Sequence, residues 1–186
     1  MALVQMNFES RYLNNNHEIS IILPAMTSEK NIALFEEMGV LSRVEVMSRY
    51  EVIIEHYAKV LHIEAMTMLE MANKQLIPAA TAYMSDVASA AAAKMAVSEK
   101  LSCKAENKVL EKLSAATDAM SDAVDALDAA VESAESETDS LEKAKAYRDK
   151  VLPAMADLRT HADAAEVVCG EDYWPLPSYS KMLYYV

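Results

Sequence analysis

An apolar stripe at helical spacing, running from Tyr50 to Val87, constrains the fold of this chain more than any other feature. Its members recur at steps of three or four residues, which places their side chains on one face of an α-helix. Only 2 Gly and 5 Pro occur among the 186 residues, and the abundant alanine, methionine and leucine are strong helix formers. The sequence therefore predicts an all-α fold. The stripe consists of Tyr50, Ile54, Tyr57, Leu61, Ala65, Met68, Ala72, Leu76, Ala79, Tyr83 and Val87.

Local signals predict where the first helices begin and end. Ser28 is a candidate N-cap of a short helix, and Gly39 suits the left-handed residue that follows a helix end. Ser42 and Glu45 have the spacing of a capping box, in which each side chain bonds the backbone N–H of the other residue. The long helix that carries the stripe is therefore expected to begin at this box.

Prolines interrupt two of the predicted long helices in similar sequence contexts. Pro78 falls inside the first stripe, and because its ring clashes with the preceding turn, a kink is expected near Leu76. The alternative is two helices separated at that point. Pro153 stands in the last long helix, and residues 151–155 resemble residues 76–80. This similarity suggests matching kinks, although five residues are too few to indicate an internal duplication.

Two further long helices follow a turn predicted between Met95 and Ser102. A connection at residues 136–140, capped by Thr138 or Asp139, separates them, and Gly170 is expected to end the second. Short connections make neighbouring helices antiparallel, so we expect an elongated antiparallel helical bundle with long kinked helices. The predicted apolar seam of the helix before the connection consists of Leu110, Leu113, Thr117, Met120, Val124, Leu127, Val131 and Ala134. The predicted apolar seam of the helix after the connection consists of Leu141, Ala144, Val151, Met155, Leu158, Ala162 and Ala165.

The predicted organisation has three parts. Residues 1–21 form a poorly determined leader, residues 22–172 form the helical bundle domain, and residues 173–186 form an aromatic tail. The segment Trp174-Pro175-Leu176-Pro177 predicts a non-helical tail, because each proline restricts the residue before it. This tail either folds back on the bundle or docks on a separate catalytic domain or a neighbouring subunit.

The charge balance excludes several partners. A formal net charge of −12 disfavours nucleic acid and an anionic membrane surface, both of which require a basic patch. No uncharged apolar stretch is long enough to span a membrane and no signal peptide is evident, so the expected location is the cytoplasm. An acidic string on the second long helix indicates a solvated face, with a cation-binding strip or a basic protein partner as alternatives. It comprises Asp118, Asp122, Asp125, Asp128, Glu132, Glu135 and Asp139.

Motifs for chemistry are missing. The Glu-x-x-His pairs of di-iron bundles, the Cys and His spacing of zinc sites and a Gly-rich phosphate loop do not occur. His56 and His62 have glutamate neighbours one or two residues away, but such neighbours point in different directions on a helix. They are therefore interpreted as polar-face residues. No catalytic, metal-binding or cofactor-binding residue is predicted in this chain.

Three segments, at residues 24–68, 71–79 and 151–184, resemble the C-terminal part of type III glutamine synthetases in order and spacing. Residues 1–21 depart from that pattern. The resemblance rests on Lys30-Asn31-Ile32-Ala33-Leu34-Phe35, Ser48-Arg49-Tyr50-Glu51, Asn73-Lys74-Gln75-Leu76-Ile77-Pro78 and Tyr173-Trp174-Pro175-Leu176-Pro177-Ser178-Tyr179.

The resemblance implies a parent enzyme that joins ammonia to glutamate with ATP and Mg²⁺ (or Mn²⁺), in a cytoplasmic homo-oligomeric ring. The chain would then be a non-catalytic accessory domain whose partners are the catalytic domain of the same enzyme and neighbouring subunits. The alternatives are a free-standing acidic helical-bundle interaction module and a metal-binding bundle enzyme. The family signature carries over, as candidate interaction residues only, Arg49, Tyr50, Glu51, Trp174, Pro175, Pro177 and Tyr179.

Overall fold

The computed structural model describes residues 23–98, 101–177 and 179–183, and every regular element in these ranges is helical. This confirms the predicted all-α helical bundle, whereas its elongated shape and antiparallel order stay predictions. The predicted leader, residues 1–21, lies outside the described residues, as do residues 99 and 100 of the predicted turn. The helices are α1 (Glu29–Glu37), α2 (Arg43–Met71), α3 (Ile77–Val97), α4 (Lys104–Glu135), α5 (Ser140–Ala146), α6 (Leu152–Glu166) and α7 (Tyr179–Leu183).

The predicted helix ends are mostly confirmed. Gly39 has φ +64°, and the N–H groups of Gly39 and Val40 donate to carbonyls of the last turn of α1, which is a Schellman motif. The Ser42 N–H donates to Glu45 Oε2 over 2.8 Å, and the Glu45 N–H donates to Ser42 Oγ over 3.4 Å, so the capping box forms. Ser28 occupies the N-cap position of α1, but its side chain makes no capping bond.

Both interior prolines are preceded by a π-helical turn rather than a break. The turns span Ala72–Leu76 and Tyr147–Val151, so each begins six residues before a proline and ends two before it, at Pro78 and at Pro153. A proline has no N–H for the carbonyl four residues earlier, and the wider π turn rearranges the hydrogen bonds at that position. The alternative of two separate helices at Pro78 is therefore wrong.

The chain divides into two compact units. Of the described residues, unit 1 comprises those from Thr67 to Asp128 and those after Pro153, and unit 2 comprises those up to Met66 and Ala129–Pro153. Most residues of the predicted seams are buried, although Leu69 and Ala80 take the buried positions expected for Met68 and Ala79. The predicted seam residues that are only partly buried are Tyr50, Tyr83, Val87, Leu110, Leu141 and Met155. The core of unit 1 includes Leu76, Leu113, Met120, Leu127, Leu158 and Trp174, and that of unit 2 includes Ile32, Val46, Ile54, Leu61, Tyr147 and Val151.

The residues after α6 depart from the prediction. The helix ends at Glu166, and Gly170 is not in the left-handed conformation expected of a helix-ending glycine. Instead Gly170 packs against the ring of Tyr83, where an added Cβ would lie 3.1 Å from Cε2. Residues 174–177 are non-helical as expected, but Tyr179–Leu183 forms a short helix, so the expectation of a non-helical tail is wrong there.

Aromatic contacts hold the beginning of the tail within unit 1. The rings of Tyr83 and Tyr173 lie 5.1 Å apart between centroids, and the Tyr173 hydroxyl donates to Asp86 on α3. Trp174 is only 8% exposed. These contacts favour packing of the Trp174 segment on its own unit over its use as a docking strap.

Candidate functional site

The candidate functional site is an open groove of about 520 Å³ in unit 2. One wall is formed by α2, where Glu55, Lys59 and His62 follow one another at steps of four and three residues and so share a helix face. The opposite wall comes from the end of α4, the connection that follows it and α5, which contribute Glu135 and Lys143. The groove therefore collects charged side chains from segments that are far apart in the sequence.

The connection between α4 and α5 has a fixed geometry. Asp139 is the N-cap of α5, and its Oδ1 accepts the N–H groups of Leu141 and Glu142 over 3.0 and 2.9 Å. Asp139 rather than Thr138 is therefore the cap, one of the two predicted candidates. This cap fixes the start of α5, the helix that carries Lys143.

A hydrogen-bonded chain borders the groove. The Tyr147 hydroxyl donates to Glu135 Oε1 over 2.6 Å, and His62 Nδ1 lies 2.9 Å from the same hydroxyl. Lys143 Nζ donates to Glu135 Oε2 over 3.1 Å. Because the Tyr147 hydroxyl has one proton and gives it to the carboxylate, it accepts from His62, whose Nδ1 must then carry a proton.

Burial and hydrogen bonding shift the ionisation of this chain of groups. Tyr147 is fully buried, and this burial together with the Glu135 carboxylate raises the pKa of its phenol far above the ordinary value. The bond from Tyr147 holds the pKa of Glu135 below its usual range, with Lys143 acting in the same direction. The phenol therefore stays protonated and the carboxylate ionised at neutral pH, which preserves the directions of the hydrogen bonds.

The polar groups that border the groove are largely engaged with one another. A phenol with so high a pKa is a poor proton donor to a substrate, and the Glu135 carboxylate is engaged on both oxygens. The sequence predicts His62 as a polar-face residue, and it lies on the face of α2 that also carries Glu55 and Lys59; its hydrogen bond to Tyr147 is the feature that the sequence did not reveal. Its two partners are 85 and 73 residues away, so helical spacing could not reveal the contact.

The comparisons with known proteins identify the family. Residues 5–95 match the family model described as the glutamine synthetase C-terminal domain. The chain carries a glutamine synthetase C-terminal domain. The predicted C-terminal glutamine synthetase region is thereby confirmed. The match includes most of residues 1–21, so the expectation that this segment departs from the family pattern is wrong.

Relatives extend the similarity over nearly the whole chain. A glutamine synthetase of Butyrivibrio fibrisolvens is 34% identical over 174 residues, which are 94% of this chain and 25% of the relative. A type-3 glutamine synthetase of Dictyostelium discoideum is 28% identical over 95% of the chain and 24% of its own length. A glutamine synthetase of Bacteroides fragilis is 24% identical with similar coverage. The chain thus spans about a quarter of the length of these curated relatives.

None of the candidate interaction residues of this glutamine synthetase domain is among the residues that line the groove. In unit 2, Arg49 and Glu51 are exposed on α2, and Tyr50 between them is partly buried, which raises the pKa of its phenol. In unit 1, Trp174 is buried whereas Pro175 and Pro177 are exposed. Tyr179 begins α7.

The acidic string of α4 is exposed in its entirety, as expected for a solvated face. Across residues 23–98, 101–177 and 179–183, no three His, Cys, Asp or Glu side chains are grouped so that they could hold a metal ion. Both cysteines, Cys103 and Cys169, are free thiols. Among the described helices, none combines the length and the apolar character needed to cross a lipid bilayer.

Proposed function

We propose that this chain is the C-terminal accessory domain of a type III glutamine synthetase and carries no catalytic residue of its own. The family match over residues 5–95 carries this proposal, together with relatives that are about four times longer. The described residues supply helix packing and recognition surfaces. The domain therefore supports the assembly or regulation of a longer enzyme.

The activity proposed for that longer enzyme is the ATP-dependent ligation of ammonia to glutamate in the cytoplasm. Its ATP and Mg²⁺ or Mn²⁺ would be bound by parts of the enzyme outside this chain. The described residues offer no group of side chains that could hold a metal ion, so they do not fit the metal. In this proposal the domain's partners are the catalytic domain of the same enzyme and neighbouring subunits of a homo-oligomer.

Exposed apolar side chains on α2 support contact with such a partner. Val52 and Ile63 are each 63% exposed and Met66 is 45% exposed, although most of the opposite face of the helix is buried. At 100° per residue the three side chains fall on one side of α2, together with Lys59 and Glu55. A second apolar face of this kind is typical of a surface that another polypeptide covers. Arg49, Tyr50 and Glu51 lie on the same helix and are proposed as neighbouring contacts.

A chimera tests the proposal. The matching quarter of the Butyrivibrio fibrisolvens enzyme is replaced by this chain, and oligomeric mass and glutamine formation are measured beside a version that lacks the quarter. We expect the chimera to assemble and the truncated version to assemble poorly. Equal assembly of both, or glutamine formation by the isolated chain, would contradict an accessory, non-catalytic role.

Variants of the chimera then test the α2 surface. Serine substitutions at Val52 and Ile63 should weaken assembly, because they remove apolar area from the proposed contact. Val167→Ser is the matched control, since Val167 is 70% exposed in unit 1. Weakening by the control but not by the α2 variants would exclude this surface.

A free-standing protein-interaction module is the second candidate function. The observation that favours it is the exposed acidic string that begins on α4 and ends at Asp139, which a basic partner would match. The reading frame upstream of this chain separates the two candidates. A catalytic domain encoded there excludes the free-standing module, whereas an unrelated gene excludes the accessory domain.

A further inference from the structure

We propose that the groove beside His62 binds a guanidinium or ammonium group on an aliphatic stem, such as an arginine side chain. Three observations carry this inference: the fixed tautomer of His62, the charge balance of the groove walls and the apolar surface on the α2 wall. None of them depends on the proposed role in glutamine synthesis.

The hydrogen bonds at Tyr147 turn His62 into an acceptor towards the groove. Tyr147 donates to Glu135, so His62 donates through Nδ1, and a neutral imidazole then has its lone pair on Nε2. Nε2 makes no hydrogen bond to another described residue, and the His62 side chain is 39% exposed. The ring thus presents a fixed acceptor, and the ligand group that matches it is an N–H donor.

The charged groups of the walls leave a negative excess. Three carboxylates (Glu55, Glu135 and Glu137) stand against two ammonium groups (Lys59 and Lys143), which gives a net charge of −1 with His62 neutral. Both lysines are already paired, with Glu55 over 3.0 Å and Glu135 over 3.1 Å. Glu137 is exposed and has no ion-pair partner among the described residues. A ligand with one positive charge would neutralise this excess negative charge.

The α2 wall offers apolar surface to an aliphatic stem. Ile63, which lines the groove next to His62 in the sequence, is 63% exposed, whereas Ala58 is almost fully buried. Long basic side chains bury their methylene groups on such apolar surface while their charged end reaches polar partners. A planar guanidinium offers several donors at once, and its proposed acceptors are the Glu137 carboxylate and His62 Nε2, which line the same groove.

The test is an NMR titration of the whole chain with N-acetyl-L-arginine amide, read at the ring nitrogens of His62, which a His62→Gln spectrum assigns. N-acetyl-L-citrulline amide is the neutral control of the same shape. We expect a protonated Nδ1 and an unprotonated Nε2 in the free protein, and saturable shifts with the arginine probe only. Agmatine distinguishes the source of the cation: tighter binding than the arginine probe indicates a free cation, and weaker binding a polypeptide side chain.

Two variants make the result specific. Glu137→Gln should weaken binding about tenfold, as expected for the loss of one charge-assisted hydrogen bond. Glu132→Gln, an exposed carboxylate on α4 that does not line the groove, should leave binding unchanged. Equal binding of the citrulline probe, equal effects of the two variants, or no shift at His62 would each overturn the proposal.

Discussion

Removal of the Tyr147 hydroxyl by Tyr147→Phe is expected to destabilise the protein by about 2 kcal/mol at neutral pH. The substitution keeps the ring that fills a fully buried position, so no large cavity forms. It deletes one hydrogen bond to the ionised Glu135 and one from His62. The measured change therefore reports on hydrogen bonding rather than on packing.

The expected loss of stability depends on whether Glu135 and His62 find other hydrogen-bond partners after the Tyr147 hydroxyl is removed. A hydrogen bond to a charged group contributes about 1.5–3 kcal/mol and a neutral one about 0.5–1.5 kcal/mol, which sets an upper range. The side chains of Glu135 and His62 are 45% and 39% exposed, so water can replace the lost hydroxyl. This replacement places the expected loss near the lower end of the range.

The loss of stability caused by Tyr147→Phe should become smaller as the pH falls. Tyr147 helps to hold the pKa of Glu135 below the ordinary glutamate value of 4.5. A carboxylate whose pKa is lowered by folding stabilises the protein above that ordinary value, and the stabilisation disappears as pH falls through the lowered pKa. The difference between wild type and Tyr147→Phe should therefore be full at pH 7 and smaller at acidic pH.

Urea unfolding followed by far-UV circular dichroism measures both quantities. Tyr57→Phe is the matched control, because the Tyr57 hydroxyl is buried without a hydrogen-bond partner among the described residues of the same unit. Its removal should be neutral or slightly stabilising. A Tyr147→Phe protein as stable as wild type at pH 7, or equally destabilised at both pH values, would refute the proposed hydrogen-bond chain.

Three further predictions concern single residues. Gly39→Ala should lower the free energy of unfolding by about 1 kcal/mol in thermal unfolding, because φ is +64° and this backbone conformation is unfavourable for alanine. No neighbour lies within 4 Å of the added Cβ, so a clash does not add to this cost, and Gly39→Asn should cost less. Asp139→Ala should cost about 1 kcal/mol in urea unfolding and Asp139→Ser little, because serine can still accept from the first turn of α5. Burial raises the pKa of Tyr57 to about 12 from an ordinary value of 10. The stability of the wild-type protein should therefore be intact below pH 10 and fall as the pH rises towards about 12. Tyr57→Phe should reduce this loss of stability.

Local sequence rules determined most of the helices and several of their ends. The spacing of apolar residues gave the buried faces of α2 and α4, because a single helix brings residues three and four apart to the same side. The capping box at Ser42 and Glu45 and the left-handed Gly39 also follow from neighbours in the chain. The family resemblance could also be recognised from the sequence, because it lies in short segments in a fixed order.

Contacts across the fold were decided by the tertiary structure alone. Proline signals predicted kinks, but they did not reveal that a π turn precedes each proline, because that depends on how the whole turn rearranges its hydrogen bonds. The position of Trp174 in its own unit was likewise one of two open alternatives.

The groove shows most clearly the difference between what local sequence signals predict and what tertiary contacts decide. His62 and Tyr147 are 85 residues apart, and only helix packing brings their side chains within 2.9 Å. The sequence by itself determined an all-α glutamine synthetase C-terminal domain, because helix periodicity and family motifs are local. Only the tertiary structure decided which polar residues meet, because a hydrogen bond depends on distances that no spacing along one helix records.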